Sequence, residues 1–322
     1  DYTGAALLIA SVLSLLYALL QIGEAVPWSD PSVIGLLAVA VVALAAFVWV
    51  ERHSPNPLIP LDMFGDRLFA IAMGHEFLAG FALFGVVSYI PLFVQGALGT
   101  SATRAGATLT PMSVIWSVGS VMAGHLLLRH GPSRLVITGT VSILTGAGLL
   151  TLLDENSSQL VAAGALSLMG FGMGMILTSY LVSVQNRVPR GRLGVATSSL
   201  QFIFQIGGTV GVSVLGAVMA SRFSAGLASL PGGEDLDPVT LLDRSSAVEI
   251  PEAISESFQT VLANALHPAF VLAAVVVSGA MLLALFAPRG TLTQLEQADR
   301  DRQARDATSL AAIHAPRPKR GR

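Results

Sequence analysis

Cysteine is absent from the 322-residue chain, which excludes disulfides, thiol catalysis and thiolate metal sites. Charge is scarce as well. Asp, Glu, Lys and Arg make up 12 % of the residues, against roughly a quarter in an ordinary soluble domain. Lys319 is the single lysine among 18 basic residues; with the richness in Ala, Gly and Val, that points to a GC-rich bacterial genome. No basic patch interleaved with aromatics occurs, so nucleic acid is not an expected partner. The chain opens on Asp1 rather than Met and carries no cleavable signal with a basic start, so the expectation is a piece of a longer protein.

What the sequence does have is 53 % hydrophobic residues and 32 glycines. The apolar residues gather into eight runs, at 4–22, 32–50, 69–93, 105–128, 135–153, 160–184, 193–221 and 268–287. Each is long enough to cross a hydrocarbon core of about 30 Å at about 1.5 Å per residue. All-round hydrophobicity without alternation argues for helices and against an outer-membrane barrel. The expected fold class is an all-α membrane protein with eight transmembrane helices. The run from Leu193 is the most polar, with Thr197, Ser198, Ser199, Gln201 and Gln205 in its first half, as suits a helix facing a wet cavity.

Arginine placement predicts orientation, because cytoplasmic loops collect basic residues. With Asp1 inside, fifteen of the 18 basic residues fall inside, among them Arg52, Arg67, Arg129, Arg134, Arg187, Arg190 and Arg192. Arg104, Arg222 and Arg244 fall outside, with the acidic residues Glu234 to Asp237. Both termini are therefore expected to be cytoplasmic, in a bacterial inner membrane. Residues 222–267 read as an outside loop whose second half, with Ile250, Ile254, Phe258, Val261, Leu262 and Leu266 at helical spacing, predicts an interfacial or docked amphipathic helix. Residues 288–322 read as a basic, disordered cytoplasmic tail near anionic lipid.

Of the twenty Asp and Glu residues, Glu76 alone sits well inside a run; Glu24 lies at a helix end. Glu76 is nine positions beyond Arg67, about 13 Å along a helix and near the midplane. An unpaired carboxylate at that depth costs at least about 2.5 kcal/mol on insertion scales, so it is protonated or faces a cavity or a partner. Two readings stay open: a proton-coupling or cation site with His75 beside it, or a protonated acid bonded to a neighbouring helix. His75-Glu76 does not make a zinc-protease motif, because the second histidine would fall at Ala79. No metal and no cofactor are expected. Phe77, Phe81 and Phe84 form a stripe that either lines a pocket for flat apolar solutes or meets lipid. Tyr89, Gln95, Trp116, Tyr180, Gln201 and Gln205 are further cavity candidates. The clusters GFGMG at 170–174 and GGTVG at 207–211 place Gly170, Gly172, Gly174, Gly207, Gly208 and Gly211 where helices can pack closely.

The order of several motifs resembles the C-terminal part of a fourteen-helix drug:proton antiporter of the major facilitator superfamily, the EmrB/QacA-like branch. DYTG at 1–4 is similar to the entry of that branch's two linker helices, and PLIPLDMF at 57–64 to its passage into the second half. YIPLFVQ at 89–95 with Gly99, Gly106 and Pro111 follows, then QNRVP at 185–189, GVAT at 194–197 and QIGG at 205–208. GHLLLRHGPSR at 124–134 resembles the superfamily's gating loop, with Gly124, Arg129, Gly131 and Arg134 in place. Leu128 stands where that loop has an Asp, and Phe204 where relatives often have an Arg able to pair with Glu76.

The resemblance implies two linker helices at 1–50, a cytoplasmic linker at 51–68, a six-helix transporter bundle at 69–287 and the tail at 288–322. It also implies membrane lipid around the chain, six further helices before Asp1 as a partner half, and no enzymatic activity. The function implied is proton-coupled efflux of small amphipathic drugs or metabolites by alternating access. An uptake symporter, or a truncated membrane subunit pairing with a separate half, are the alternatives.

Overall fold

Caps and turns set where each helix begins. The structure is a computed structural model describing residues 1–23, 26–54, 57–58, 61–229 and 255–287. Among these are eight helices long and apolar enough to cross a membrane, here α1 (Tyr2–Gly23), α2 (Pro31–His53), α3 (Arg67–Leu92), α4 (Ala102–His130), α5 (Pro132–Leu150), α6 (Gln159–Arg187), α7 (Leu193–Ala228) and α8 (Ser255–Leu285). Asp30, Asp66, Ser101 and Ser158 cap α2, α3, α4 and α6 by accepting backbone N–H groups that have no partner inside the helix. Gly131, at φ 76°, makes the tight reversal between α4 and α5 that a side chain would strain.

Asp30 lies outside the spans. The Ser32 hydroxyl and amide hold its carboxyl below the usual carboxylate range. Its folded-state value is depressed, so its contribution is present above pH 3.8 and is lost as pH falls through the folded value. Faster amide exchange at Ser32 below that range is the expected result.

Helices α1 and α2 form a hairpin, tied where the Ser11 hydroxyl donates to the Ala40 carbonyl at 2.8 Å. The other six form the bundle: α3 packs on α7, α6 on both α4 and α5, and α8 on α3, α5 and α7. The hairpin docks through α1 onto α7. Pro91 lies in the last turn of α3, and the chain leaves through a π-helical turn, Phe93–Ala97, into Gly99 at φ 63°. There a Cβ would come within 2.9 Å of the Gln259 side chain.

Several expected boundaries shift. Helix α2 runs to His53, so Glu51 belongs to its last turn and is buried rather than in an exposed linker. The expected outside loop loses both ends: α7 continues to Ala228, and α8 starts at Ser255 and passes unbroken through Pro268. Phe258, Leu262 and Leu266 are buried, and the Phe258 ring meets Phe223 edge-on at 5.7 Å. That apolar face packs against the end of α7, so of the two forms expected, interfacial or docked, the helix is docked and runs on into the last span. Glu24, residues 230–254 (with Ile250 and Ile254) and the tail 288–322 lie outside the described residues.

Two acid–arginine pairs join the start of the bundle to the α6–α7 turn. Arg187 donates to both carboxylate oxygens of Asp66 at 3.1 Å, and Arg192 pairs with Asp62 on the one-turn helix Leu61–Gly65. Asp66 also caps α3 through Leu68 N and Phe69 N. Asp66→Ala therefore removes a cap, about 1 kcal/mol, and a charge-assisted bond worth about 1.5–3 kcal/mol when sheltered. With Asp66 38 % and Arg187 14 % exposed, the expected total is about 2–3 kcal/mol. Asp66→Asn keeps the cap and should lose about half of that; thermal unfolding in detergent reads the difference.

Candidate functional site

Glu76 and His75 are adjacent on α3, and both side chains are buried, at 1 % and 0 % exposure. Neither faces open space. His75 Nε2 is 2.9 Å from Thr140 Oγ1 on α5. That hydroxyl donates to the Val136 carbonyl at 2.7 Å, so its proton is committed and Nε2 donates to it. The ring therefore presents Nδ1 as an acceptor, and Nδ1 has no hydrogen-bond partner among the described residues.

From α6, Tyr180 closes the third side. Its ring centroid lies 5.3 Å from that of His75, and it is near enough to Glu76 to feel that group's charge. Glu76 Oε2, the Tyr180 hydroxyl and the Ser179 hydroxyl are all buried without a hydrogen-bond partner among the described residues. Buried polar atoms are rarely left unpaired, because each costs about 1–3 kcal/mol. Among the described residues such atoms occur on both α3 and α6, next to the His75–Tyr180 contact. Three helices thus bring together a carboxyl, an imidazole and a phenol; Thr140 and Tyr180 lie 65 and 105 residues from His75 in sequence.

One layer away is a cavity of about 550 Å³ lined by Leu177, Ser198, Gln201, Phe202, Phe204 and Gln205. Gln201 and Gln205, from the polar first half of α7, are among its lining residues. Leu177 is one helical turn from Tyr180. Phe204 packs on Gly80, whose Cβ position is 2.2 Å from the Phe204 carbonyl, and Gly80 is one turn beyond Glu76. The polar cluster lies just behind the cavity wall.

The other candidates fall elsewhere. Phe81 is buried and Phe77 and Phe84 are half-buried, and along the stripe α3 packs closely on α7: Gly207 closes on the backbone of Phe77, Gly211 on that of Phe81, and Gly208 on the Phe84 ring. The glycines leave no space for a solute between the two helix backbones. The Tyr89 hydroxyl donates to the Val212 carbonyl at 2.8 Å. Gln95 lies in the π-helical turn and Trp116 packs, half-buried, against the core. Neither lines the 550 Å³ cavity. Gly170 and Gly174 meet the Met112 and Trp116 carbonyls, and Gly172 that of Gly139. Arg129 and Arg134 are exposed and make no ion pair among the described residues, and Gly124 has open space around it.

A small-residue helical bundle with a partly polar groove along α7, beside a docked helical hairpin, is an architecture that suits a membrane transporter. The family model described as Major Facilitator Superfamily matches residues 2–212. The chain belongs to that superfamily, and it is of a transporter family rather than an enzyme. It is 30 % identical over 337 residues to the multidrug transporter protein MdtP of Bacillus subtilis (strain 168), covering 96 % of this chain and 62 % of that one. It is 33 % identical over 227 residues to the multidrug resistance protein Stp of Mycobacterium tuberculosis, covering 70 % of this chain and 42 % of Stp. The chain thus spans less than two thirds of the length of these relatives. Among solved structures, a bacterial homologue of the human lysosomal transporter Spinster, inward-facing and occupied, shares the fold at a TM-score of 0.54 and 17 % identity. That match covers 80 % of this chain and 56 % of the other.

Proposed function

We propose that the protein works as a proton-coupled exporter of amphipathic solutes, of the fourteen-helix drug:proton antiporter branch. In this reading α1 and α2 are its linker helices, and α3 to α8 are the second of two bundles that rock about a shared pocket. Six further helices form the other bundle. The arginine distribution supports a bacterial inner membrane with both ends of this chain at the cytoplasmic face.

The observation that carries the reading is Glu76: a carboxyl buried at mid-helix, one turn from the residue that packs on the wall of a polar groove, with an oxygen unpartnered among the described residues. Such a group is held neutral by its surroundings and gives up its proton only when water or a cation reaches it. Rocking of the bundles would supply that access on alternate sides. His75 Nδ1 and the Tyr180 hydroxyl stand ready to take or give a hydrogen bond as the charge on Glu76 changes. The test is export driven by an imposed pH gradient in vesicles bearing the full-length transporter. Glu76→Gln should abolish the drive; undiminished drive would refute the role of Glu76, and inward accumulation with the proton would replace export by symport.

A further inference from the structure

A second cavity, of about 480 Å³, runs between α1 and α7. Its lining is apolar, with Leu8, Ile9 and Val12 on one side and Phe202 and Ile206 on the other. Ser198 and Phe202 line both this crevice and the polar cavity. They are four residues apart on α7, so the two spaces meet across one helical ridge. At the mouth of the crevice, Ile9 and Leu13 are 58 % and 61 % exposed. The apolar crevice beside α1 and the polar groove that holds the glutamines therefore flank one ridge of α7.

The two ends differ in what they recognise. Lipid tails are as apolar as leucine, so the crevice gives an alkyl chain little that the bilayer does not. Selectivity comes from the polar end, where Ser198, Gln201 and Gln205 are exposed. Gln201 lies eight residues into α7, about 12 Å along the helix. A polar head at that depth in hydrocarbon would lose its hydrogen bonds, at several kcal/mol per group. Gln201, Gln205 and Ser198 offer amide and hydroxyl donors and acceptors there, with no charged side chain among the lining residues.

We propose that the joined cavities bind a single-tailed amphiphile with an uncharged, hydrogen-bonding head, the head on Gln201 and Gln205 and the tail in the α1–α7 crevice opening to the membrane. This rests on the exporter reading only for calling the ligand a cargo. The docked linker hairpin then has a definite part, because α1 forms one wall of the route by which the cargo leaves the bilayer.

The experiment uses the full-length transporter in phosphatidylcholine–phosphatidylglycerol nanodiscs and a monolauroylglycerol carrying a diazirine at the tail end. Labelled peptides are expected from α1 and α7 together. Excess monolauroylglycerol should compete, whereas methyl laurate, with the same tail and no hydroxyl head, should not. Gln201→Leu/Gln205→Leu should cut labelling about tenfold, as the loss of one or two hydrogen bonds implies, and Ala5→Trp should block the crevice. Labelling spread over lipid-facing positions such as Val41, Val42 and Leu282 would overturn the proposal, and so would equal competition by methyl laurate, a comparison that needs no variant. Binding as expected while Glu76→Gln stays coupled would sink the proton reading alone; the reverse pattern would sink this site alone.

Discussion

Gly207→Ala and Gly211→Ala are expected to destabilise the protein more than any other single methyl addition along α7. A Cβ at either position would lie 2.1 Å from a carbonyl oxygen of α3, that of Phe77 or of Phe81. The obstacle is backbone, so no side-chain rotation relieves it and the two helices must separate. Overpacking of this kind costs about 1–3 kcal/mol, more where the frame cannot move. Separation also exposes the Gly80–Phe204 contact, where the fit is equally tight at 2.2 Å. The double variant should cost less than the sum of the two, because the first methyl has already opened the interface for the second. Gly106→Ala and Gly164→Ala meet nothing within 4 Å and serve as controls, neutral or slightly stabilising through helix propensity. Unfolding midpoints in detergent decide the matter: equal midpoints for Gly211→Ala and Gly164→Ala would mean that α3 and α7 do not pack as described.

How far a sequence reveals such an interface depends on whether the signal is local. The eight spans were legible because hydrophobic length is a property of one segment. The polar start of α7 was legible for the same reason, and Gln201 and Gln205 do line a cavity. Glu76 stood out by rarity alone. Thr140 did not, and Tyr180 stood among several cavity candidates with nothing to pair it with Glu76, because both belong to other helices. The Asp66–Arg187 pair spans 121 residues; both segments carry recognisable motifs, yet nothing in either says that they meet. Glu51 misled for a related reason, since a charge at the end of an apolar run reads as a boundary and only the docking of α1 shows it to be buried. The Phe77–Phe84 stripe was open for a different reason: aromatics at helical spacing suit a pocket, lipid or a neighbouring helix alike, and the close approach of the α7 glycines to this stretch of α3 is written in another segment.

The expected behaviour of Glu76→Gln follows from the energy a proton carries. One pH unit is worth about 1.4 kcal/mol per proton, or a tenfold gradient of solute at one proton per solute. Vesicles with the native transporter should approach that ratio under a one-unit gradient, scaled by stoichiometry. Glutamine keeps the volume and hydrogen-bonding capacity of a protonated carboxyl but has no proton to release. Glu76→Gln should therefore fold, bind solute and equilibrate it downhill, while its accumulation falls about tenfold, to a ratio near one. Tyr180→Phe separates the acid from its setting. Tyr180 is fully buried and its hydroxyl has no partner among the described residues, so removing that oxygen should not destabilise the fold and should relieve an unpaired polar group. If the hydroxyl stabilises the ionised form of Glu76, Tyr180→Phe will keep coupling but shift the pH at which efflux is half-maximal upward, since the carboxylate then forms less readily. A pH profile identical to the native one would confine Tyr180 to packing and leave Glu76 to act with His75.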